Sequence, residues 1–362
     1  MVATLIVNIL AVFFAWLDSR KLSRYGLKIS VFIVFIFLAL RFDFGNDYAG
    51  YLQNFLNINR FDLVNVDSFN IKGNEIAWFY LNLFFKPFGF FSLVIVLAAF
   101  NCYVLYRFIK KYVPQRYYWF AIFLYTFQTS QMLILSSAMR QAVAVSFFLI
   151  AIDFIVKKKL IHYFVTIFIA SLFHTSAIIL LPLILLSYLN WNLKFRHIIL
   201  VLILFILPLF LLDKTINSLN IFINQYFNTY SYYLDNSDGI SISDIGIGFV
   251  INVSFYVVIL YYSQFEFDKT NKLFFKIAVI SLLLIPLGFT IQLIGRLNFY
   301  FLPSLMVVFP LVFLKMRNRS RNILIGSIIV FTLYNFYLFF NSGVYAEHFK
   351  DYKTILTSQY WM

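Results

Sequence analysis

Two apolar runs joined by a lysine triplet constrain this chain more than any other stretch in it. Residues 136–175 read SSAMRQAVAVSFFLIAIDFIVKKKLIHYFVTIFIASLFHT. The first run opens at Arg140 and Gln141 and closes at Lys157, Lys158 and Lys159; the second climbs from Leu160 to His174. In hydrocarbon no water satisfies backbone N–H and C=O groups, so only helices or closed barrels span a membrane. Barrel strands would be short and alternating, and these runs are neither. A charge at the bilayer centre costs about 2.5–3.5 kcal/mol on insertion scales. Arg140 and His174 therefore need the membrane surface or a polar cavity, and the spacing predicts them at one shared end of a helical pair.

The remainder of the chain agrees with this. Its 362 residues are 62% hydrophobic and 12% charged, with a mean hydropathy of +0.84. That composition implies an all-α polytopic transmembrane bundle, read as a single integral membrane domain over 1–362. A net charge of +14 would suggest nucleic acid in a soluble protein. Here it reflects lysines and arginines in cytoplasmic loops, and no nucleic-acid partner is expected. Cys102 is the one cysteine, so neither an intrachain disulfide nor a thiolate metal cluster is available. The four histidines form no H-x-x-x-H pattern, and no metal site or cofactor is expected. No basic segment precedes the first apolar run, which reads as a retained helix rather than a cleaved signal.

Applying the positive-inside bias along the chain predicts about twelve crossings of about 20 residues each, with both termini outside. Arg20, Lys21, Arg24 and Lys28 mark the first inner loop, Arg107, Lys110, Lys111 and Arg116 the second, and Arg317, Arg319 and Arg321 the last. The main outer loops are expected at about 41–89 and 213–244, with an outer tail at about 341–362. Within the first of these, 75–85 reads as an amphipathic helix capped by Asn74 and broken at Pro87 and Gly89. The run 160–189 would be about 45 Å as one helix at 1.5 Å per residue, too long for a core of about 30 Å. Splitting it at His174 places Lys194, Arg196 and His197 inside. It also places an outer loop with Asp213, Asp235, Asp238 and Asp244 opposite a single Lys214. Asp153, one turn before Lys157, reads as its partner.

Cations at outer helix ends are the chemical signal. Arg41, Arg140, Arg296 and His174 all fall there, where the positive-inside bias predicts depletion. Arginine offers a planar fork of donors suited to phosphate. Arg140 and Arg296 also begin helices, where free N–H groups and the dipole favour an anion. One such arginine alone is explained as well by lipid headgroups, or by pairing with Asp43 or Asp47. Gly45 permits a tight turn that folds 41–51 over the outer mouth, and Asp47 is the expected general base on a hydroxyl. His174 is expected to orient a substrate group. Asp235 and Asp238 read as solvated acids, and Tyr226, Tyr230, Tyr232 and Tyr233 as loop or interface aromatics.

Five pieces occur in order: RFDFGNDY at 41–48, MRQAVA at 139–144, KKK with IASLFHTSA and LP at 157–182, GRLNFYF at 295–301, and DYK at 351–353. Together they resemble the EpsG family of membrane polysaccharide polymerases, which are similar to Wzy-type O-antigen polymerases. The resemblance implies a multi-pass enzyme of the bacterial inner membrane that works on its periplasmic side. It would join oligosaccharide repeat units carried on undecaprenyl pyrophosphate, for O-antigen, capsule or exopolysaccharide. It also implies the metal-independent class of lipid-donor glycosyltransferases, with no cofactor. By motif it carries over Arg41, Asp47, Tyr48, Arg140, Gln141, His174 and Arg296. Asp47 and His174 are taken as catalytic; Arg41, Tyr48, Arg140, Gln141 and Arg296 are taken as ligands of pyrophosphate or glycan. The expected partners are the bilayer and the lipid-linked oligosaccharide, with a chain-length regulator and a flippase left open. The competing readings are a flippase for the same lipid, an O-antigen ligase and a membrane O-acyltransferase. A flippase should line a whole path between leaflets with polar groups, and here the candidates gather at one end.

Overall fold

The structure is a computed structural model that describes residues 1–58, 75–188, 197–205, 246–290 and 292–357. Among these, six helices are long and apolar enough to cross a membrane: Val2–Ser19, Phe90–Tyr112, Met139–Val156, Lys269–Gly288, Gly295–Lys315 and Asn318–Asn341. Four shorter apolar helices accompany them: Gly26–Ala39, Leu160–Phe173, Thr175–Ser187 and Ile247–Ser263. The all-helical membrane bundle is as expected, whereas the count of about twelve is not reached among the described residues. One expected crossing is broken into short pieces, and another, ahead of the loop at 213–244, is described only as far as residue 205. The expected acidic loop at 213–244, its tyrosines and Asn74 lie outside the described residues.

The chain forms two compact units, one of Met1–Ile184 with Ile323–Met362 and one of Leu185–Asn322. The first begins with α1 (Val2–Ser19) and α2 (Gly26–Ala39), followed by β1 (Arg41–Phe42) and α3 (Tyr48–Asn57). After Glu75 come α4 (Ile76–Phe85), α5 (Phe90–Tyr112), α6 (Tyr118–Phe127) and the three-residue α7 (Leu135–Ser137). α8 (Met139–Val156) and α9 (Leu160–Phe173) complete the set, with the 3-10 segment Thr175–Ser187 beyond. α1 packs on α2 and α6, α5 on α2 and α8, and α4 and α8 on α9.

The turn from α1 to α2 is held by a buried carboxylate. Asp18 Oδ2 accepts from the Leu27 N–H at 2.9 Å, and Oδ1 accepts from Gln115 Nε2 at 3.0 Å. A carboxylate removed from water requires such donors. The expected crossing 117–135 is interrupted: α6 ends at Phe127 and a π turn, Ser130–Ile134, leads into α7. Ala138, at φ −78° and ψ 68°, then departs from helix before α8 starts.

The expected break at His174 is present. Tyr163 O–H donates to the Leu180 carbonyl, 17 residues on. In one continuous helix those residues would stand about 25 Å apart at 1.5 Å per residue, so the chain folds back at His174. Pro182 sits inside the returning segment, where its missing N–H disfavours an α-helix.

Two local expectations are corrected. Asp153 pairs not with Lys157 but with Lys111 at 2.7 Å, and it also accepts from Tyr112 O–H. The packing of α5 on α8 brings a cation across from another helix, while Lys157 points to the exposed side. α4 is also not amphipathic. Trp78, Phe79, Asn82 and Phe85 are buried, but the opposite face carries exposed Ile76, Tyr80 and Phe84. A helix apolar all round suits contact with protein on one side and lipid on the other. It ends as expected, through a 3-10 turn Lys86–Phe88 to Gly89 at φ 83°.

The C-terminal segment returns onto the loop after α2. After the helices Asn318–Asn341 and Gly343–Phe349, β2 (Lys353–Thr354) pairs antiparallel with β1, Arg41 opposite Thr354 and Phe42 opposite Lys353. Ile355 N–H donates to Leu40 O at 2.9 Å and Gly45 N–H to His348 O at 3.0 Å. The Tyr352 ring stacks on Phe37 with centroids 4.4 Å apart, and its O–H donates to the Phe37 carbonyl at 2.6 Å.

The second unit contains α10 (Ile247–Ser263), α11 (Lys269–Thr290), α12 (Gln292–Phe301) and α13 (Leu305–Lys315). A polar relay ties three of them. Ser281 Oγ donates to Asn298 Oδ1 at 2.7 Å and lies 2.8 Å from Tyr256 O–H, which is placed to donate to it. Asn298 lies two residues after Arg296 on α12, so the relay fixes the helix that carries this arginine.

Candidate functional site

In the first unit, one carboxylate joins two residues singled out as cations. Arg140 is the second residue of α8, at a helix start where backbone N–H groups lack partners within the helix. α9 ends at His174, whose extended backbone (φ −152°, ψ 114°) leaves the helix. Glu75 stands immediately before α4, and α4 packs on α9. That packing sets Glu75 Oε1 2.8 Å from His174 Nδ1. Glu75 Oε2 forms an ion pair with Arg140 Nη1. Arg140 Nε donates to Tyr51 Oη at 3.3 Å, and the guanidinium lies over the Tyr51 ring, 5.6 Å from its centroid. Tyr51 is itself held edge-on against Trp78, with centroids 5.2 Å apart.

Burial is graded across the cluster. The Glu75 side chain is 6% exposed, His174 23% and Arg140 35%. The carboxylate is the most buried of the three and the arginine the most exposed. An ionised carboxylate only accepts hydrogen bonds, so the short contact assigns a proton to His174 Nδ1. In a neutral imidazole this leaves the Nε2 lone pair available. Burial lifts the Tyr51 phenol above its ordinary value, against the opposing pull of Arg140. Tyr51 thus keeps its proton at neutral pH and offers a hydroxyl beside the guanidinium.

The loop 41–47 braces the start of α8. Arg41 Nη2 donates to Ser136 O at 2.9 Å, and Asp47 N–H donates to Ser137 Oγ at 3.0 Å. Tyr48 O–H donates back to Arg41 O at 3.2 Å. Ser136 and Ser137 directly precede Ala138, where the backbone turns into α8 and presents Arg140. Gly45 allows this close fit: it sits at φ 119°, and an added Cβ would lie 2.7 Å from Ser137 Oγ. Gly45→Ala is expected to cost about 1–3 kcal/mol, the range for a backbone held in a sparsely populated region. The midpoint of thermal unfolding in detergent should drop and glycan output with it. Gly50→Ala, with open space around its Cβ position, should leave both near wild type.

Each expected site residue has a definite place. Arg140 and His174 come together through Glu75. Arg41 is 4% exposed, and its polar contact is with a carbonyl rather than with Asp43 or Asp47. Its Nε has no hydrogen-bond partner, and burial holds the guanidinium below its ordinary value. Tyr48 is fully buried in the aromatic core against Phe90. Asp47 contributes its backbone N–H to the brace. Gln141 is buried beside Arg140 in the chain, and Arg296 lies on α12 of the second unit. Glu75 and Tyr51 were missed. Glu75 had a readable signal, because it is an acid opening the apolar run IAWFYLNLFF, the same kind of end charge that drew attention to Arg140.

This fold and cluster define a multi-pass helical membrane protein with an arginine–carboxylate–histidine centre at one end of its α8–α9 pair. The EpsG family pattern matches residues 25–354. The chain belongs to the EpsG family, whose members are Wzy-type polymerases. Membership carries a polysaccharide polymerase role of glycosyltransferase type. No curated protein matches the chain, and no solved structure matches it.

Proposed function

We propose that this protein joins lipid-pyrophosphate-linked oligosaccharide repeat units at the outer face of the bacterial cytoplasmic membrane, with Tyr51, Glu75, Arg140 and His174 as the reaction centre. The observation that carries this reading is the shared carboxylate of Glu75, with an arginine on one oxygen and an imidazole on the other. In the proposed reaction an acceptor sugar hydroxyl oxygen bonds to the anomeric carbon of the donor. The bond from that carbon to the pyrophosphate oxygen breaks, and its electron pair leaves with the lipid pyrophosphate. The hydroxyl proton passes to His174 Nε2, and Glu75 stabilises the imidazolium. A positioned base of this kind contributes typically about 10²–10⁴-fold. Arg140 meets the charge that develops on the leaving group.

The outer location is supported by charge. Arg140 and His174 occupy one end of the α8–α9 pair, while Lys157, Lys158 and Lys159 occupy the other, as do Lys110 and Lys111 at the end of α5. By the positive-inside bias the lysine end faces the cytoplasm. The role of Arg296 as a pyrophosphate ligand rests on the motif GRLNFYF alone.

Deletion of the gene tests the reading against its competitors. Single repeat units should accumulate on the periplasmic side, and a plasmid copy should restore the full ladder of lengths. Units retained on the inner leaflet would instead mark a flippase and end the polymerase reading.

A further inference from the structure

In the resting cluster Glu75 occupies one Nη of the guanidinium that a pyrophosphate would need. We infer that Glu75 is an exchangeable counter-ion: a diphosphate anion displaces it from Arg140, and the freed carboxylate then serves His174 alone. This rests on the reading of the cluster as a diphosphate site and adds an order of events to it.

Four observations support the exchange. The two carboxylate oxygens are divided, Oε2 to Arg140 and Oε1 to His174, so one contact can break while the other stays. The gradient of burial brings an arriving anion to Arg140 before Glu75. Tyr51 holds Arg140 through Nε and through its ring face, independently of Glu75. The guanidinium therefore keeps its place when the carboxylate lets go. Finally, the two side-chain bonds of Arg140 use only two of the five N–H donors of a guanidinium, so the others give an arriving diphosphate a first hold before it takes the donor held by Glu75.

The exchange has a chemical consequence. While Arg140 neutralises Glu75, the carboxylate draws little proton density toward the histidine. Once the diphosphate has taken Arg140, a largely buried carboxylate keeps a single partner, and a nearby opposite charge is what stabilises it. The negative charge of Glu75 is then directed at His174 alone, and only when the donor is in place.

The test uses full-length protein in lipid nanodiscs with inorganic pyrophosphate as the probe. Glu75→Gln keeps the shape and removes the competing charge. It should tighten pyrophosphate binding by about tenfold, the least that one charge-assisted hydrogen bond is worth, while polymerisation slows. With lipid-linked substrate, KM and kcat should therefore fall together. Arg140→Gln should lose pyrophosphate binding in either background. Unchanged or weaker binding by Glu75→Gln, with Arg140→Gln still defective, overturns the exchange and leaves the diphosphate site standing. Equal binding by wild type and Arg140→Gln, or none by any form, removes the diphosphate site and the exchange with it. A second measurement needs no variant to fold: pyrophosphate added to the wild type should shift a carboxylate stretching band in the infrared difference spectrum. No shift on saturation overturns the exchange.

Discussion

Arg140→Ala is expected to reduce the product to single repeat units, with polymerisation slowed by about 10²–10³-fold, the loss typical of removing one preorganised donor to a developing anion. The guanidinium is fixed by Tyr51 and Glu75 before any substrate arrives, so little reorganisation accompanies the reaction. Arg140→Lys should recover only part of the rate. A point charge on a flexible stem cannot reach Tyr51 and present a planar fork to phosphate at once. Stability should respond separately. Alanine leaves the Glu75 carboxylate, 6% exposed, with His174 alone. Removing one partner of a fully buried pair costs about 3–5 kcal/mol. Arg140 is 35% exposed, so solvent screening lowers this to about 1–2 kcal/mol. Adding Glu75→Gln to Arg140→Ala should return the melting midpoint toward wild type without restoring polymer. Full-length ladders from Arg140→Ala, at confirmed expression, would remove the arginine from the reaction.

His174→Ala should slow polymerisation by about 10²–10⁴-fold, the usual contribution of a positioned general base. It should leave the helical content and the fold-back after α9 in place, because that reversal is also held by Tyr163 bonding Leu180. His174→Gln separates two roles. Glutamine can still donate to Glu75 Oε1, so a role confined to orientation would survive the change, whereas a role as base would not. If His174→Gln retained wild-type rates, the proton would have to leave by another group.

Arg41 and Asp47 show what residue chemistry alone leaves out. Both sit in RFDFGNDY, and both carry the charges that pyrophosphate binding and base catalysis call for. In the folded chain the Arg41 side chain and the Asp47 N–H are bonded to Ser136 and Ser137. The turn at Gly45 that was expected to fold over the mouth of the bundle does fold back, but onto these serines. The motif thereby shapes the entry to α8 and the placement of Arg140. The C-terminal DYK, expected in an outer tail, completes the same brace by pairing β2 with β1 and stacking Tyr352 on Phe37. A motif shared at such positions reports that they matter, and leaves open whether they touch substrate or hold the residue that does.

The apolar runs, the charges at their ends and the break at His174 were legible because each is local. Hydropathy over about 20 residues decides membrane insertion, and a run too long for the bilayer has to fold back. Arg140 and His174 stood out for the same reason, as charges at the ends of greasy helices. Tertiary structure alone decided which charge meets which. Glu75 reaches His174 because α4 docks on α9, and Asp153 chooses Lys111 over Lys157 because α5 lies against α8. Pairing energies fall off within a few ångströms, while periodicity along a chain carries no information about which helices become neighbours. The membrane helices could therefore be read from the amino acids in order, and the proposed reaction centre only from their packing.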